Sequence, residues 1–295
     1  MFEGVHTALV TPFREDRLDE EAFCALIHRQ FEGGVRGVVP VGTTGESPTL
    51  THDEHLHVIE MTIREAKGKG LVIAGTGSNS TREAISMTQA AEQAGADASL
   101  QVCPYYNKPS QEGLYQHYKA IADATSLPLI LYSIPGRCNV EIDVDTVVRL
   151  IDSCSNIKAL KEAGGTPERV SLLRDATPDS FEILSGDDSM TLPFLSVGAV
   201  GLISVASNLI PQVMTDLVKA GRQGDMVAAA KLHRQFYPLF RAFLKMETNP
   251  VPIKASLALA GYITDEIRLP LVALDGDKRE ELSTTLSELS ILPAS

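Results

Sequence analysis

The chain has 295 residues, of which 44% are hydrophobic and 22% charged, a composition typical of a folded globular protein. Its net charge of −12, from 26 basic and 38 acidic residues, argues against a nucleic-acid-binding surface, which needs a basic patch. No apolar run reaches the ~20 residues of a membrane helix, and the N-terminus lacks the pattern of a signal peptide. We therefore expect a cytoplasmic protein that is not bound to a membrane, with its four cysteines reduced because none has CxxC spacing.

Short apolar runs rich in Val, Ile and Leu alternate along the chain with segments of helical periodicity. The predicted strands are Val5–Val10, Gly37–Val41, Leu71–Gly75, Ala98–Cys103, Leu129–Tyr132, Ile157–Lys161, Phe181–Ser185 and Gly201–Val205. The predicted helices between them are Asp19–Glu32, Thr51–Ala66, Thr81–Ala94, Gln111–Thr125, Asp143–Ile151 and Pro167–Ala176. Strands without strict alternation are typical of a parallel sheet covered by helices. Eight such βα units predict a closed (β/α)8 TIM barrel rather than an open sheet.

After Val205 only helical periodicity remains. The predicted helices are Gln212–Ala220, Asp225–Met246, Pro252–Leu259 and Asp277–Leu289. We therefore expect two parts. Residues 1–224 would form the barrel that carries the active site, and residues 225–295 a small C-terminal helical domain.

Polar residues gather where the predicted strands end, which is the catalytic rim of such a barrel. Hydroxyls, phenols, one arginine and one lysine lie at the ends of four different strands: Thr43, Thr44, Tyr105, Tyr106, Tyr132, Arg137 and Lys161. The segment Gly42–Ser47 lacks the lysine of a phosphate-binding P-loop, and Ser80 stands where a dinucleotide fingerprint from Gly75 needs glycine. We expect Gly42–Ser47 to receive a small carboxylate through backbone N–H groups and its two threonine hydroxyls.

Lys161 is the predicted nucleophile. A lysine with an ordinary pKa of about 10.4 is neutral in only about one molecule in 2,500 at pH 7, and a pKa of about 8 raises that fraction to roughly a tenth. A dry barrel mouth disfavours the charged form, and the neutral amine can capture a carbonyl group as a Schiff base. A lone lysine usually points to solvent, and Lys158 is a second amine in the strand, but Lys158 lies at the strand's start, away from the rim.

Two neighbours of the lysine have plainer interpretations as well. Tyr132 on a buried strand is typical of a core residue with a satisfied hydroxyl, although beside Lys161 it could relay protons. Arg137 fits a solvated loop charge, or a guanidinium that binds a carboxylate through paired hydrogen bonds.

Seven motifs together resemble the dihydrodipicolinate synthase family, and the likeness covers nearly the whole chain. They are GTTGE (Gly42–Glu46), PYYN (Pro104–Asn107), YSIPGR (Tyr132–Arg137), LKEA (Leu160–Ala163), LSGDD (Leu184–Asp188), GLISVASN (Gly201–Asn208) and NPVPIK (Asn249–Lys254). The resemblance implies a barrel with C-terminal helices that assembles as a homotetramer, a dimer of dimers. It also implies a lyase that condenses pyruvate with L-aspartate 4-semialdehyde, in the pathway to diaminopimelate and lysine.

The resemblance implies a catalytic role for four residues. Lys161 would form the Schiff base with pyruvate, so no metal and no organic cofactor would be needed. Thr43, Tyr132 and Tyr106 would form a proton relay of hydroxyls. The tyrosine at the position of Tyr106 reaches into the neighbouring subunit's site in this family.

Four further residues correspond to substrate-binding positions. Thr44 would hold the pyruvate carboxylate, with Gly186 and the Ile203 carbonyl lining the pocket, and Arg137 would bind the carboxylate of the semialdehyde. Two departures concern the second substrate: Ser133 stands where many synthases have Asn, and Cys138 where Thr is frequent.

Other functions share parts of this pattern. N-acetylneuraminate lyase and keto-deoxy sugar acid aldolases have the same lysine, barrel and strand-five tyrosine, whereas the pair Thr43–Thr44 and Arg137 favour the synthase. A non-catalytic keto-acid sensor would retain the pocket, but the intact lysine and hydroxyl set argue against it.

A regulatory site is also implied by the resemblance, because six residues match positions at which lysine-inhibited members bind L-lysine between subunits. They are Ser47, His52, His55, Asn79, Glu83 and Tyr105. Glu83 could pair with the α-amine, while Asn79 and Tyr105 hold the carboxylate. Alternatively, Thr51 and Glu54 form a capping box and the two histidines only occupy the first helical turn. Pro48 stands where inhibited members often have Ala, which weakens the hypothesis of a regulatory site. A metal site at His52 and His55 would lack further ligands.

Overall fold

Eight parallel strands close into one barrel in the computed structural model, which describes residues 1–292. The strands are β1 Gly4–Ala8, β2 Gly37–Val39, β3 Leu71–Gly75, β4 Ala98–Val102, β5 Leu129–Ser133, β6 Ile157–Glu162, β7 Glu182–Ser185 and β8 Gly201–Ser204. β1 closes the barrel by pairing with β2 on one side and β8 on the other. The predicted fold class is confirmed, with strand ends that differ by at most two residues from the predicted ones.

Twelve helices surround and extend the barrel in the described chain. They are α1 Glu20–Glu32, α2 His52–Ala66, α3 Thr81–Ala94, α4 Gln111–Asp123, α5 Pro135–Cys138, α6 Val144–Ser153, α7 Pro167–Ala176, α8 Thr191–Leu195, α9 Pro211–Arg222, α10 Met226–Lys245, α11 Val251–Leu259 and α12 Gly276–Glu288. The sequence pattern did not reveal α5 and α8, because helices of four and five residues are too short to show periodicity.

Side chains from outside the helices fix several helix starts. Asp19 and Thr51, predicted inside helices, are instead N-cap residues whose side chains accept the backbone N–H groups of Ala22 and Glu54. The Glu54 carboxylate in turn accepts a hydrogen bond from the Thr51 N–H, which completes the capping box expected there.

The barrel interior and the C-terminal helices form separate packing regions. Inside the barrel, Ile130, Tyr132, Ala159, Leu184 and Ile203 belong to one buried apolar cluster. A second cluster joins α10 and α12 to α9 and to the outer side of β1 and β8. A domain division at residue 224 stays a prediction, and the last three residues of the predicted C-terminal domain lie outside the described range.

Candidate active site

Lys161 lies at the carboxyl end of β6 and its side chain is buried in the barrel mouth. The residue is 6% exposed, and Nζ lies 4.0 Å from the centroid of the Tyr132 ring. Within residues 1–292 no carboxylate forms an ion pair with this amine. Burial lowers the pKa of Lys161 to about 7, against an opposing effect of the Asp188 charge. The amine is therefore neutral in about half of the molecules at pH 7.

Tyr132 is the partner of Lys161 across the sheet, because β5 and β6 pair these two residues in register. Tyr132 is buried, and burial raises the pKa of its phenol above the ordinary value, which keeps the hydroxyl protonated. The tyrosine lines a cavity of about 230 Å³. The same cavity is lined by Thr43 and Gly42 from the loop after β2, and by Arg137 and Cys138 from α5.

The loop after β2 folds as two successive 3-10 turns. Thr43–Gly45 forms the first, and Glu46 ends it in the left-handed conformation with φ of 55°. Thr44 is buried, and its Oγ1 accepts a hydrogen bond of 3.0 Å from Asn249 Nδ2. The hydroxyl of Thr44 is thus held by a residue that lies beyond α10, far along the chain.

A buried ion pair fixes the same loop from below. Lys254 Nζ of α11 lies 2.5 Å from Glu46 Oε1, and the two side chains are 1% and 2% exposed. Lys254 Nζ also donates to the Thr11 carbonyl at 3.0 Å, and the Arg268 N–H donates to Glu46 Oε2 at 3.1 Å. These bonds satisfy the carboxylate of a residue whose backbone conformation is otherwise disfavoured.

Arg137 is exposed at the cavity mouth on the one-turn helix α5. Its Nη2 donates to the backbone carbonyl of Asn249 at 3.1 Å. The rest of the guanidinium makes no ion pair within the described residues. The group is therefore placed at the entrance with donors left for an incoming anion.

Gly186 lies against the Lys161 side chain, and Ile203 lies in the barrel interior. A Cβ at Gly186 would lie 2.9 Å from Lys161 Cε and 2.9 Å from Ala163 Cβ, so any side chain there would displace the lysine. Ile203 is buried on β8 in the same interior cluster as Tyr132.

Asp188 is a buried carboxylate close to this site, and the sequence predicted no role for it beyond its place in the LSGDD motif. Its oxygens accept the Ser204 hydroxyl at 2.5 Å and the N–H groups of Val205 at 3.1 Å and Ala206 at 2.9 Å. Burial raises its pKa to about 6. Asp188 therefore ties the loop after β7 to the end of β8, next to Ile203.

Tyr106 is not among the cavity residues of its own chain. The side chain is 91% exposed, and the backbone has φ of 73°. A strained tyrosine with almost no contacts within its own chain contributes nothing to packing there.

The six residues of the predicted regulatory site lie on three neighbouring segments. His52 Nε2 lies 2.8 Å from Glu83 Oε1, and Glu83 also accepts the Ser78 hydroxyl. The hydrogen bond from Ser78, and to a lesser extent the one with His52, lowers the pKa of Glu83.

The remaining four members of the set differ in exposure. Asn79 Nδ2 donates to the Tyr105 carbonyl at 3.1 Å, and Ser47 and Tyr105 line the cavity that Tyr132 lines. His55 is buried, its Nε2 has no partner within residues 1–292, and burial lowers its pKa to about 4. The capping box and this burial fit the plainer interpretation of His55. Of the other five residues, only Ser47 and Tyr105 line the cavity.

The described residues contain neither a metal-binding cluster nor a helix that could span a membrane. Within residues 1–292 no three His, Cys, Asp or Glu side chains lie close enough together to hold a metal ion. None of the helices in that range has the length and apolarity needed to cross a bilayer.

A closed (β/α)8 barrel with a desolvated lysine at the end of its sixth strand, and a buried tyrosine beside it, is typical of barrel enzymes that use an amine as the nucleophile. The sequence model of the Dihydrodipicolinate synthetase family matches residues 1–289, and the chain belongs to this family. The predicted resemblance is confirmed.

Three relatives illustrate the match. The 4-hydroxy-tetrahydrodipicolinate synthase of Endomicrobium trichonymphae is 47% identical over 292 residues, which cover 99% of this chain and all of the relative. The solved dihydrodipicolinate synthase of Acinetobacter baumannii complexed with pyruvate is 43% identical, with a TM-score of 0.96 and coverage of 99% and 100%. The enzyme of Cyanidioschyzon merolae with lysine bound is 39% identical, with a TM-score of 0.96 and coverage of 99% of both chains.

Proposed function

We propose that this chain is a Schiff-base lyase that condenses pyruvate with L-aspartate 4-semialdehyde to give 4-hydroxy-tetrahydrodipicolinate, in diaminopimelate and lysine biosynthesis. The observation that carries the proposal is the Lys161 amine, buried without a carboxylate partner and with a pKa of about 7. The family and the pyruvate complex of the Acinetobacter baumannii relative support the substrate.

The reaction would begin with attack of the neutral Lys161 amine on the pyruvate ketone. Loss of water gives a protonated imine, and removal of a methyl proton gives an enamine. The iminium accepts the electron pair in this step, so we propose that no metal or organic cofactor takes part. Overnight dialysis against EDTA should then leave the initial rate unchanged.

The enamine carbon would attack the aldehyde of the second substrate. The amine of that substrate then attacks the imine carbon, closes the ring and expels Lys161 as a free amine. Tyr132 would transfer the protons; its position beside Lys161, and a raised pKa that keeps it protonated between transfers, support this role. Thr43, which lines the same cavity, would continue the relay.

We propose two positions for the carboxylates of the substrates. Thr44, at the base of the loop after β2, would hold the pyruvate carboxylate, with Gly186 and the Ile203 carbonyl lining the pocket beside the amine. Arg137, exposed at the mouth, would bind the carboxylate of the semialdehyde with its free donors.

Tyr106 would complete the relay in the site of a neighbouring copy. Its side chain is 91% exposed and its backbone is strained. Contacts in an interface with another copy would offset the free-energy cost of this conformation, whereas an isolated chain offers no such contacts. We accordingly propose a homotetramer, a dimer of dimers, that acts in the cytoplasm.

The experiment that tests the function compares two substrates. Purified protein should form product from pyruvate and L-aspartate 4-semialdehyde in a coupled assay, and should not cleave N-acetylneuraminate. Borohydride reduction in the presence of pyruvate should add one reduced pyruvate to the peptide that contains Lys161. Cleavage of the sugar acid alone would overturn the substrate assignment, and trapping without turnover would favour a keto-acid sensor.

We also propose that L-lysine inhibits the enzyme at Ser47, His52, His55, Asn79, Glu83 and Tyr105, since a relative has been solved with lysine bound. Glu83, with a lowered pKa, would pair with the α-amine. Initial rates should fall at millimolar or lower L-lysine, and the variant Glu83→Gln should lose that response. A flat rate against added L-lysine would reject the regulatory site.

A further inference from the structure

Asn249 contacts Thr44 and Arg137, the two residues proposed to bind the carboxylates of the substrates. Its side-chain Nδ2 donates to Thr44 Oγ1 at 3.0 Å, and its backbone carbonyl accepts from Arg137 Nη2 at 3.1 Å. We propose that Asn249 is a positioning residue for pyruvate, which aims the Thr44 hydroxyl at the substrate carboxylate. The inference rests on the proposed function, because it takes Thr44 as the pyruvate-carboxylate ligand.

The chemistry of a hydroxyl explains why this contact matters. A threonine hydroxyl has a single proton and two acceptor lone pairs. When one lone pair accepts the Asn249 N–H, the proton of Thr44 has to point in another direction. Within residues 1–292 the Thr44 hydroxyl donates to no acceptor, so its proton stays available for an anion. A hydrogen bond to a carboxylate is stronger than one between neutral groups.

The position of Asn249 is itself fixed by the chain that follows it. Lys254, five residues later on α11, is locked to Glu46 in the same loop as Thr44. This buried ion pair joins the loop to the segment that carries Asn249 and so keeps Asn249 close to Thr44. Asn249 Oδ1 is buried without a partner in the described chain, an unfavourable arrangement for stability alone.

The contact between Arg137 and Asn249 serves as an internal control for substitutions of the Asn249 side chain. Arg137 is held by the backbone carbonyl of Asn249, which any substitution of the side chain leaves in place. Changes at the Asn249 side chain should therefore affect pyruvate and leave the semialdehyde largely unaffected. A residue that only stabilised the fold would not separate the two substrates.

The test is a set of steady-state measurements on purified variants. Asn249→Ala should raise the KM for pyruvate by roughly fivefold to tenfold, with less than about a twofold change in the KM for the semialdehyde. Asn249→Asp should raise it by roughly 100-fold, because the new carboxylate accepts the Thr44 proton and repels the anion. Thr248→Ala, at the exposed neighbouring residue, should behave as the wild type. If the alanine variant folds poorly, Asn249→Ser carries the same expectation.

A double-mutant cycle identifies the route of the effect. In a Thr44→Val background, which lacks the hydroxyl, Asn249→Ala should cause no further rise in the KM for pyruvate. An equal rise in both backgrounds, or a wild-type KM in Asn249→Ala and Asn249→Asp, would overturn the inference. Failure of the wild type to be trapped by pyruvate and borohydride would instead overturn the proposed function.

Discussion

Two buried lysines of the same chain have opposite environments. Lys161 is 6% exposed and has the Tyr132 ring beside it but no carboxylate within ion-pair distance. Lys254 is 1% exposed and lies 2.5 Å from Glu46, with the Thr11 carbonyl as a second acceptor. Burial lowers both pKa values, but at Lys254 the Glu46 charge and hydrogen bond oppose the shift.

The difference shows that burial alone does not make a lysine reactive. A charged amine with a carboxylate in contact remains an ion pair that connects parts of the fold. An amine buried among apolar groups and a phenol gives up its proton near pH 7 and becomes a nucleophile. Whether a buried lysine stabilises the fold or acts as a nucleophile therefore depends on whether a carboxylate lies in contact with its amine.

The largest effect is expected on turnover when the unpaired lysine is removed. Lys161→Met should lower kcat by roughly 10⁴-fold or more and abolish borohydride trapping, because no other amine replaces the nucleophile. Lys158→Met is the matched control, since Lys158 is exposed at the start of the same strand. Pyruvate trapping that persists in the Lys161 variant would place the nucleophile elsewhere.

The next effect concerns the stability of the paired lysine. Lys254→Met should lower the free energy of unfolding by about 3–5 kcal/mol, because it leaves the Glu46 carboxylate buried without its cation. The variant with both Lys254→Met and Glu46→Gln should recover part of that loss. Lys278→Met removes an exposed pair with Glu247 and should leave the free energy of unfolding close to the wild-type value. Urea denaturation measures all three.

A smaller effect of opposite sign is expected on the free energy of unfolding when Lys161 is replaced. The pKa of Lys161 is about 10.5 in the unfolded chain and about 7 in the folded chain. Between these values unfolding takes up a proton, so this lysine destabilises the fold most at pH 7 and below, and less as the pH rises. Lys161→Met should therefore raise the free energy of unfolding at pH 7 by about 2–4 kcal/mol. The gain should fall by about half at pH 9; an unchanged gain, or a destabilised variant, would contradict this account.

The smallest effect is the pH dependence of imine formation. With a pKa of about 7, the neutral fraction of Lys161 rises about tenfold between pH 6 and pH 8. The single-turnover rate of pyruvate trapping should rise with pH in the same proportion and level off above pH 8. A midpoint near pH 10 would mean that the amine is not desolvated in solution.

The repeating part of the structure was predictable, because its signals are local. Eight apolar runs gave the barrel, and the place of Lys161 at the end of one run predicted the rim position. The buried face of α2 was also readable: His55, Val58, Ile59 and Thr62 repeat with helical spacing and are all buried. The same spacing places His55 on the buried face of α2.

The contacts that shape the site were not predictable, because they join distant segments. Asn249 and Thr44 are 205 residues apart, and Lys254 and Glu46 are 208 apart. No periodicity relates them, since the docking of α11 under the loop after β2 decides the pairing. The NPVPIK motif contains both Asn249 and Lys254, yet it contributed to the sequence analysis only as part of a resemblance. Arg137 was assigned a role, but its place on the four-residue helix α5 needed the structure.

The long separation between the loop and its two partners has a consequence for the order of biosynthesis. A ribosome releases the barrel strands and the reactive lysine well before it releases Asn249 and Lys254. Until that late segment docks, the Glu46 carboxylate has no cation and the Thr44 hydroxyl has no donor to orient it. A nascent barrel would thus carry its amine without a finished pocket, and the chain becomes competent only when its last quarter has folded onto the first.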